Sequence, residues 1–357
     1  MSGYPLDSLF AVRTPEAFQR RCMAVFHRQA EHCAVYRTYM DLLDLHPSQV
    51  CSLHEIPFLP ISFFKTHTVI SGASDAAQAV FSSSGTTGAQ PSQHHVLDLR
   101  VYRRSFSDGF TLFYGSPSDY TILALLPSYL ERQGSSLVYM VEHLMRQSGC
   151  PDNGFFMHDF AALSRSLHNL QQRGQRTILI GVTYALLDFA EQYPCDFPAL
   201  TVMETGGMKG KRDELLRDEL HRRLCSGFGV TKIHSEYGMT ELLSQAYSAG
   251  DGLFHSPPWM QVCIRDRYDP FAPAPDGVTG GVNIIDLANI YSCAFIETQD
   301  LGRRHADGTF EITGRYEQSD LRGCNLMYTE EVRRACGEQG AISGHYLKDD
   351  FCDCCEG

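Results

Sequence analysis

"VFSSSGTTGAQPSQHH", Val80 to His95, is the stretch whose reading decides the fold. Ser82, Ser83, Ser84, Thr86 and Thr87 surround Gly85 and Gly88. Before them, Val80 and Phe81 can finish a strand. After them, Leu99, Tyr102, Phe106 and Phe110 recur on one face of a helix, with Arg100, Arg103 and Arg104 turned away. The loop is therefore expected between a strand and a helix. Its glycines let the backbone turn with amides pointing inward and its hydroxyls add donors, which together suit phosphate oxygens. It is not a Walker loop, because the G-x-x-x-x-G-K-[ST] spacing and its lysine are absent. Taken alone, a Ser/Gly surface loop explains the segment as well.

Around this loop lies a chain of 357 residues, 43% hydrophobic and 20% charged, with none of the low hydrophobicity that marks disorder. A formal net charge of -12 argues against a nucleic-acid binder, which needs clustered Lys and Arg. It leaves room for a small anionic ligand held by backbone amides. The N-terminus has no basic segment followed by a long apolar run, and no window approaches the roughly 18 apolar residues of a membrane span. A soluble, cytoplasmic protein with no membrane partner is expected. The 13 cysteines are scattered and odd in number, so reduced thiols are expected rather than a disulfide framework. The tail "CDCC", Cys352 to Cys355, could bind a metal, but one short cluster is weak evidence and a loosely packed tail is the expectation.

The first 50 or so residues read as helical, with Phe18, Cys22, Val25 and Phe26 at helical spacing, Thr14 as N-cap and Glu16 beside it. Further on, "YTILALL", "RTILIGV", "ALTVMETGG", "GVNIIDL" and "AFIETQDLG" read as strands. Helix candidates such as "SSLVYMVEHLMRQSG" and "KRDELLRDELHRRLCSGFG" lie between several of them. That alternation predicts an α/β fold with buried, mainly parallel strands, whose ligands sit at the loops after the strands.

Three ordered stretches carry a resemblance: "SSSGTTG"; "EYGMTE", Glu236 to Glu241; and a closing pair, "TQDLG" with Asp300 and "FEITGR" ending at Arg315. Together they resemble the adenylate-forming superfamily of acyl-CoA ligases, luciferase-like enzymes and peptide-synthetase adenylation domains. The resemblance implies that Ser83, Ser84, Gly85, Thr86, Thr87 and Gly88 hold the β- and γ-phosphates of ATP. It implies adenine-pocket walls at Thr205, Gly206 and Gly207 and at Tyr237, Gly238 and Met239. Thr240 would contact the α-phosphate, Glu241 would bind Mg²⁺, and Asp300 would accept from the ribose hydroxyls with Arg315 nearby.

Three longer stretches, "IPFLPISFFKTHTVISG", "LLPSYLERQGSSLVYMVEHL" and "GRYEQSDLRGCNLMY", are similar to the acyl-protein synthetase of bacterial bioluminescence, a subunit of a fatty acid reductase complex. That resemblance implies activation of a fatty acid as acyl-AMP and capture of the acyl group on a cysteine near the C-terminus, before it passes to a reductase subunit. Cys324 is the matching position. A thiolate attacking a mixed anhydride is coherent chemistry; Arg322 favours the thiolate and Asp320 opposes it. The implied organisation is an α/β adenylate-forming domain over 1–314 and a short appendage, 315–357, bearing Cys324. Two departures stand beside this. Lys348 is the sole lysine after Arg315 and matches a C-terminal catalytic lysine poorly, and Gln90-Pro91-Ser92 replaces the usual Pro-Lys end of the loop. They keep open an acyltransferase that takes its acyl group from acyl-CoA onto Cys324 and passes it to an acyl carrier protein. A non-catalytic acyl- or nucleotide-binding scaffold is the alternative from another class. Weaker candidates for the acyl pocket are Tyr129, Ser135 and His94; Ser135 reads equally well as a helix cap, and His94 as a base or phosphate contact.

Overall fold

The computed structural model describes residues 6–72, 76–83, 90–127, 134–206 and 215–316. Helices open it: α1 (Leu6–Phe10), α2 (Pro15–His32) and α3 (Ala34–Leu42). Thr14 caps α2 as its sequence predicts, accepting the Ala17 N–H at 3.2 Å, with Pro15 at the first helical position, where a missing N–H leaves nothing unpaired. Phe18, Cys22, Val25 and Phe26 become its buried face. Gln29 on the same helix is fully buried. Its amide donates to the Asn289 carbonyl at 2.8 Å and its Oε1 accepts from the Ala294 N–H at 2.9 Å, pinning α2 to a segment 260 residues away.

Next come β1 (Leu59–Pro60), α4 (Phe63–Thr66), β2 (Ala79–Ser82), β3 (Gln93–Val96) and α5 (Leu99–Tyr114). β2 and β3 pair antiparallel, Val80 opposite His95 and Phe81 opposite His94. The Ser/Gly loop thus joins two strands of a hairpin, and the expectation of a strand-to-helix loop is corrected. The second strand is hidden in the sequence because it is polar. Ser92, His94 and Val96 are buried while Gln93 is exposed and His95 half-buried, a period-2 alternation written in serine and histidine. α5 begins after β3, with Asp98 accepting the Arg100 N–H at 2.9 Å as its cap. Phe81 seats the hairpin on this helix, 5.3 Å from the Tyr102 ring, which in turn meets Phe106 at 4.8 Å. Rings buried this fully each stabilise by about 1.5–3 kcal/mol.

Strands and helices then alternate: β4 (Thr121–Leu125), α6 (Ser136–Ser148), β5 (Gly154–Phe155), α7 (Phe160–Gln172), β6 (Thr177–Val182), α8 (Thr183–Gln192), β7 (Thr201–Thr205), α9 (Arg217–Phe228), β8 (His234–Tyr237) and β9 (Ala246–Ser248). Among the described residues these strands form one sheet in the order β5-β4-β6-β7-β8-β9, parallel except for β9. β4 and β6 are buried at every position, as strands covered on both faces must be.

A second sheet holds β10 (Met260–Arg265), β11 (Gly280–Asp286), β12 (Phe295–Arg304) and β13 (Phe310–Arg315), in the order β1-β12-β11-β10 with β13 on β12. Here only β1 and β12 run parallel. "GVNIIDL" and "AFIETQDLG" are strands, but the expected mainly parallel arrangement holds in the first sheet only. Residues 287–294 are too short a connection between β11 and β12 for a parallel crossover, which takes a dozen residues or more.

Candidate active site

The hairpin closes tightly below its loop. The Ser83 N–H donates to the Ser92 carbonyl at 3.0 Å, and the Ser92 N–H donates to Ser83 Oγ at 2.9 Å. Ser84, Gly85, Thr86, Thr87 and Gly88 lie outside the described residues, as do Tyr129, Gly207 and Cys324. The Ser82 N–H donates to the Gly134 carbonyl at 2.7 Å, drawing the start of α6 against the hairpin. There Ser135 acts as the N-cap, accepting the Val138 N–H at 3.4 Å.

Opposite the hairpin, the chain leaves β8 at Tyr237 and turns. The Leu242 N–H donates to the Met239 carbonyl at 3.1 Å, which makes Thr240 and Glu241 the central residues of a β-turn. Gly238 precedes it, and a Cβ there would meet Glu236 Oε1, so a side chain at this position would have to displace that carboxylate. Buried side chains hold the turn from beneath. His94 Nδ1 lies 2.9 Å from the Thr240 carbonyl and Asn289 Nδ2 donates to the Glu241 carbonyl at 2.8 Å. Asp286 Oδ2 accepts the N–H groups of Leu243 and Ser244, both at 2.9 Å, and its Oδ1 accepts the Ser244 hydroxyl at 2.6 Å and the Ala288 N–H at 3.0 Å.

Glu241 itself is 6% exposed. Burial pushes its carboxyl above the usual range, against the opposing pull of the Ser92 hydroxyl, its own backbone N–H and the charges of Lys65 and Arg315. A carboxylate so poorly solvated gains from a divalent cation. Among the described residues no three His, Cys, Asp or Glu side chains gather as a cage. The donor set fits Mg²⁺, which is commonly held by one or two carboxylates and completed by substrate phosphates.

The other end of the site rests on a second carboxylate. Asp300 and Arg315 are register partners across β12 and β13. Asp300, 5% exposed, accepts the Tyr237 hydroxyl on Oδ2 at 2.7 Å and Arg315 Nε on Oδ1 at 2.9 Å. Arg315 is largely exposed, so the pair is half buried rather than a surface ion pair. The Tyr237 phenol is pushed far above its ordinary value by burial and by the Asp300 charge, and its ring packs against Phe254 and Phe310. β7 and β8 are neighbours with Thr205 opposite Glu236, and the Thr205 hydroxyl donates to the Glu236 carboxylate. Gly206, at φ 76, follows β7 in the left-handed region that glycine tolerates. Thr205 and Gly206 of "TGG", and "YGM", are thereby placed at the ends of adjacent strands, where open α/β sheets bind ligands.

A family model described as "Acyl-protein synthetase, LuxE" matches residues 13–333. The chain belongs to the acyl-protein synthetase family. It is accordingly an enzyme, a ligase. It is 26% identical over 319 residues to the long-chain-fatty-acid–luciferin-component ligase of Vibrio harveyi, covering 83% of this chain and 82% of that protein. With the ligase of the same name from Aliivibrio fischeri it shares 24% over 325 residues, 84% of each chain. Among solved structures it resembles 2-hydroxyisobutyryl-CoA ligase in complex with its acyl-AMP and CoA, at TM-score 0.62 and 14% identity over 85% of this chain and 70% of that one. It also resembles ATP-bound MatB from Rhodopseudomonas palustris, at TM-score 0.51 and 19% identity over 69% of this chain and 49% of that one. The adenylate-forming α/β fold is borne out. Among the described residues no helix is long and apolar enough to cross a membrane.

Several residues that build this site escaped the sequence reading. Ser92, Asp286, Asn289 and Ser292 support the turn from distant parts of the chain. Lys65, on α4, adds a positive charge felt by Glu241, on the side where the loop departs from its usual Pro-Lys ending.

Proposed function

We propose that this chain activates a long-chain fatty acid with ATP and passes the acyl group, by way of a thioester on Cys324, to a partner protein. Residues 1–314 would form the adenylating domain and 315–357 the appendage carrying the thiol. The observation that carries the reading is the approach of three separate elements on one carboxylate: Ser92 beneath the loop, Lys65 on α4 and Arg315 on β13 all act on buried Glu241. In the first step a carboxylate oxygen of the fatty acid attacks the α-phosphorus of ATP, and pyrophosphate leaves with the electron pair of the broken P–O bond. Ser83 to Gly88 hold the β- and γ-phosphates, and the Thr240 hydroxyl contacts the α-phosphate. Glu241 would hold Mg²⁺, which would supply charge screening of the phosphates. Asp300 and Arg315 hold the ribose, and Gly206, Gly207, Tyr237, Gly238 and Met239 line the adenine. In the second step the Cys324 thiolate attacks the acyl carbon and AMP departs; the acceptor, a reductase subunit or acyl carrier protein, takes the acyl group from that thioester.

Two observations support this assignment. The relatives are named for a long-chain fatty acid and a luciferin component. Moreover, burial raises the thiols of Cys22, Cys33, Cys195, Cys225, Cys263 and Cys293, away from the reactive thiolate. Intact-protein mass spectrometry tests it, with ATP, Mg²⁺ and a panel of fatty acids, or with acyl-CoA alone. The expected result is an acyl adduct that requires ATP and vanishes in Cys324→Ala. An adduct from acyl-CoA alone, also lost in that variant, would instead mark an acyltransferase; an adduct surviving in Cys324→Ala would place the thioester elsewhere.

A further inference from the structure

His94 is 1% exposed and both ring nitrogens are engaged: Nδ1 with the Thr240 carbonyl and Nε2 with Ser292 Oγ, each at 2.9 Å. A carbonyl oxygen only accepts, so Nδ1 carries the hydrogen and Nε2 accepts from the Ser292 hydroxyl. Ser292 is anchored in turn, its carbonyl accepting the Ser71 hydroxyl at 2.9 Å and its N–H donating to the Asn289 carbonyl at 3.0 Å. Phe64 meets the imidazole edge-on at 5.6 Å. No face of the ring is left for a ligand.

The peptide that His94 holds, between Thr240 and Glu241, is the middle peptide of the 239–242 turn. It takes no part in the turn's own hydrogen bond, so its plane is the softest degree of freedom there. That plane sets ψ of Thr240 and φ of Glu241, and with them the backbone frame from which both side chains project. Ser92 and His94 lie two residues apart on one face of the hairpin strand, and the first reaches the Glu241 carboxylate while the second reaches the Thr240 carbonyl.

We propose that His94 is a positioning residue: in its Nδ1–H tautomer, fixed by Ser292, it locks the middle peptide of the turn and so aims the Thr240 hydroxyl and Glu241 carboxylate at the phosphates. The aim at phosphates rests on the function proposed above; the lock on the peptide does not. The hairpin that carries the phosphate loop and the turn opposite it then move as one body.

The full-length protein tests this in two ways. With ¹⁵N-labelled histidine at pH 7, NMR should show His94 with a protonated Nδ1 and a bare Nε2, and Ser292→Ala should perturb that signal; a hydrogen on Nε2 would overturn the proposal. In fatty-acid-dependent ATP–pyrophosphate exchange, His94→Leu should lower kcat roughly 10- to 100-fold with KM for ATP within about 2-fold, and His94→Asn, whose amide reaches the Nδ1 position, should recover most of it. A folded His94→Leu with unchanged kcat overturns the proposal, as does an equal loss in Leu and Asn variants that follows their melting temperatures. A wild type with no exchange activity would sink the adenylation reading, while the tautomer and its response to Ser292→Ala would still decide the lock.

Discussion

Replacing Asp300 with Asn separates a nucleotide contact from a structural one. In the protein each carboxylate oxygen already accepts one donor, Tyr237 on Oδ2 and Arg315 on Oδ1, leaving a second lone pair on each for the two ribose hydroxyls. The Asn carboxamide must keep its oxygen towards Arg315, which has no lone pair, and place its NH₂ against Tyr237, whose hydroxyl can rotate to accept it. The internal contacts therefore survive, and because Arg315 is largely solvated the stability change should stay within about 1–2 kcal/mol. The ribose fares worse. One hydroxyl loses its acceptor's charge and the other faces a donor; at about 1–1.5 kcal/mol for each charge-assisted bond reduced to an ordinary one, the loss is about 2–3 kcal/mol, or roughly 30- to 150-fold in kcat/KM for ATP. Fatty-acid-dependent ATP–pyrophosphate exchange measures it, with 2′-deoxy-ATP as the second arm of a cycle. The wild type should discriminate against the deoxynucleotide, and Asp300→Asn should discriminate much less. If the two penalties simply multiply, Asp300 does not hold the ribose and its role is confined to joining β12 to Tyr237.

Glu241→Gln should leave the fold intact, since it removes a burdened buried charge, yet raise the Mg²⁺ concentration needed for half-maximal exchange at least about 10-fold; an unchanged Mg²⁺ titration would remove Glu241 from the metal site. Asp286→Asn turns an acceptor of four hydrogen bonds into a group that presents a donor to N–H groups it used to accept, and should lower stability by about 2–4 kcal/mol in urea unfolding. A loss under about 1 kcal/mol would show that the turn keeps its shape without it. His234 is pushed down to about 4, first by burial and then by Lys232. The unfolded chain therefore takes up its proton first: this contribution is intact above pH about 6.5 and is lost as pH falls towards 4, at most about 3 kcal/mol in total. Stability of His234→Gln should fall less steeply across that window; identical slopes would mean that the imidazole titrates normally.

Much of the frame was legible because it is written locally. "ILAL" and "ILIGV" are uninterrupted apolar runs and fold within fully buried parallel strands. Thr14 caps the helix whose apolar period it precedes. The ordered stretches around Thr205, Tyr237 and Asp300 point to strand ends that the fold brings side by side. What stayed hidden is carried by contacts between distant residues. β3 alternates, but with Ser92 and His94 as its buried members, so hydrophobicity gives no sign of it. The antiparallel pairing of β11 and β12 lay in the shortness of 287–294 rather than in the strands themselves. Asp286, Asn289 and Ser292 read as an ordinary polar stretch, and only the chain's return beneath the 239–244 backbone makes them its supports. Lys65 likewise gains meaning from the fold alone. Ser84 to Gly88 of the loop and Cys324 lie outside the described residues, and their assignment stays with the chemistry proposed for them.

The Gln29 clamp has a consequence for when the enzyme comes into being. During synthesis α2 leaves the ribosome well before the backbone it must bind, since Asn289 and Ala294 lie 260 and 265 residues further along. Closing so long a loop carries an entropy penalty that local contacts cannot offset, so the clamp forms late. Asn289 is also the residue that holds the Glu241 carbonyl. A chain in which that contact has not formed therefore lacks one of the supports of its 239–242 turn, and the adenylation proposed above would wait on it.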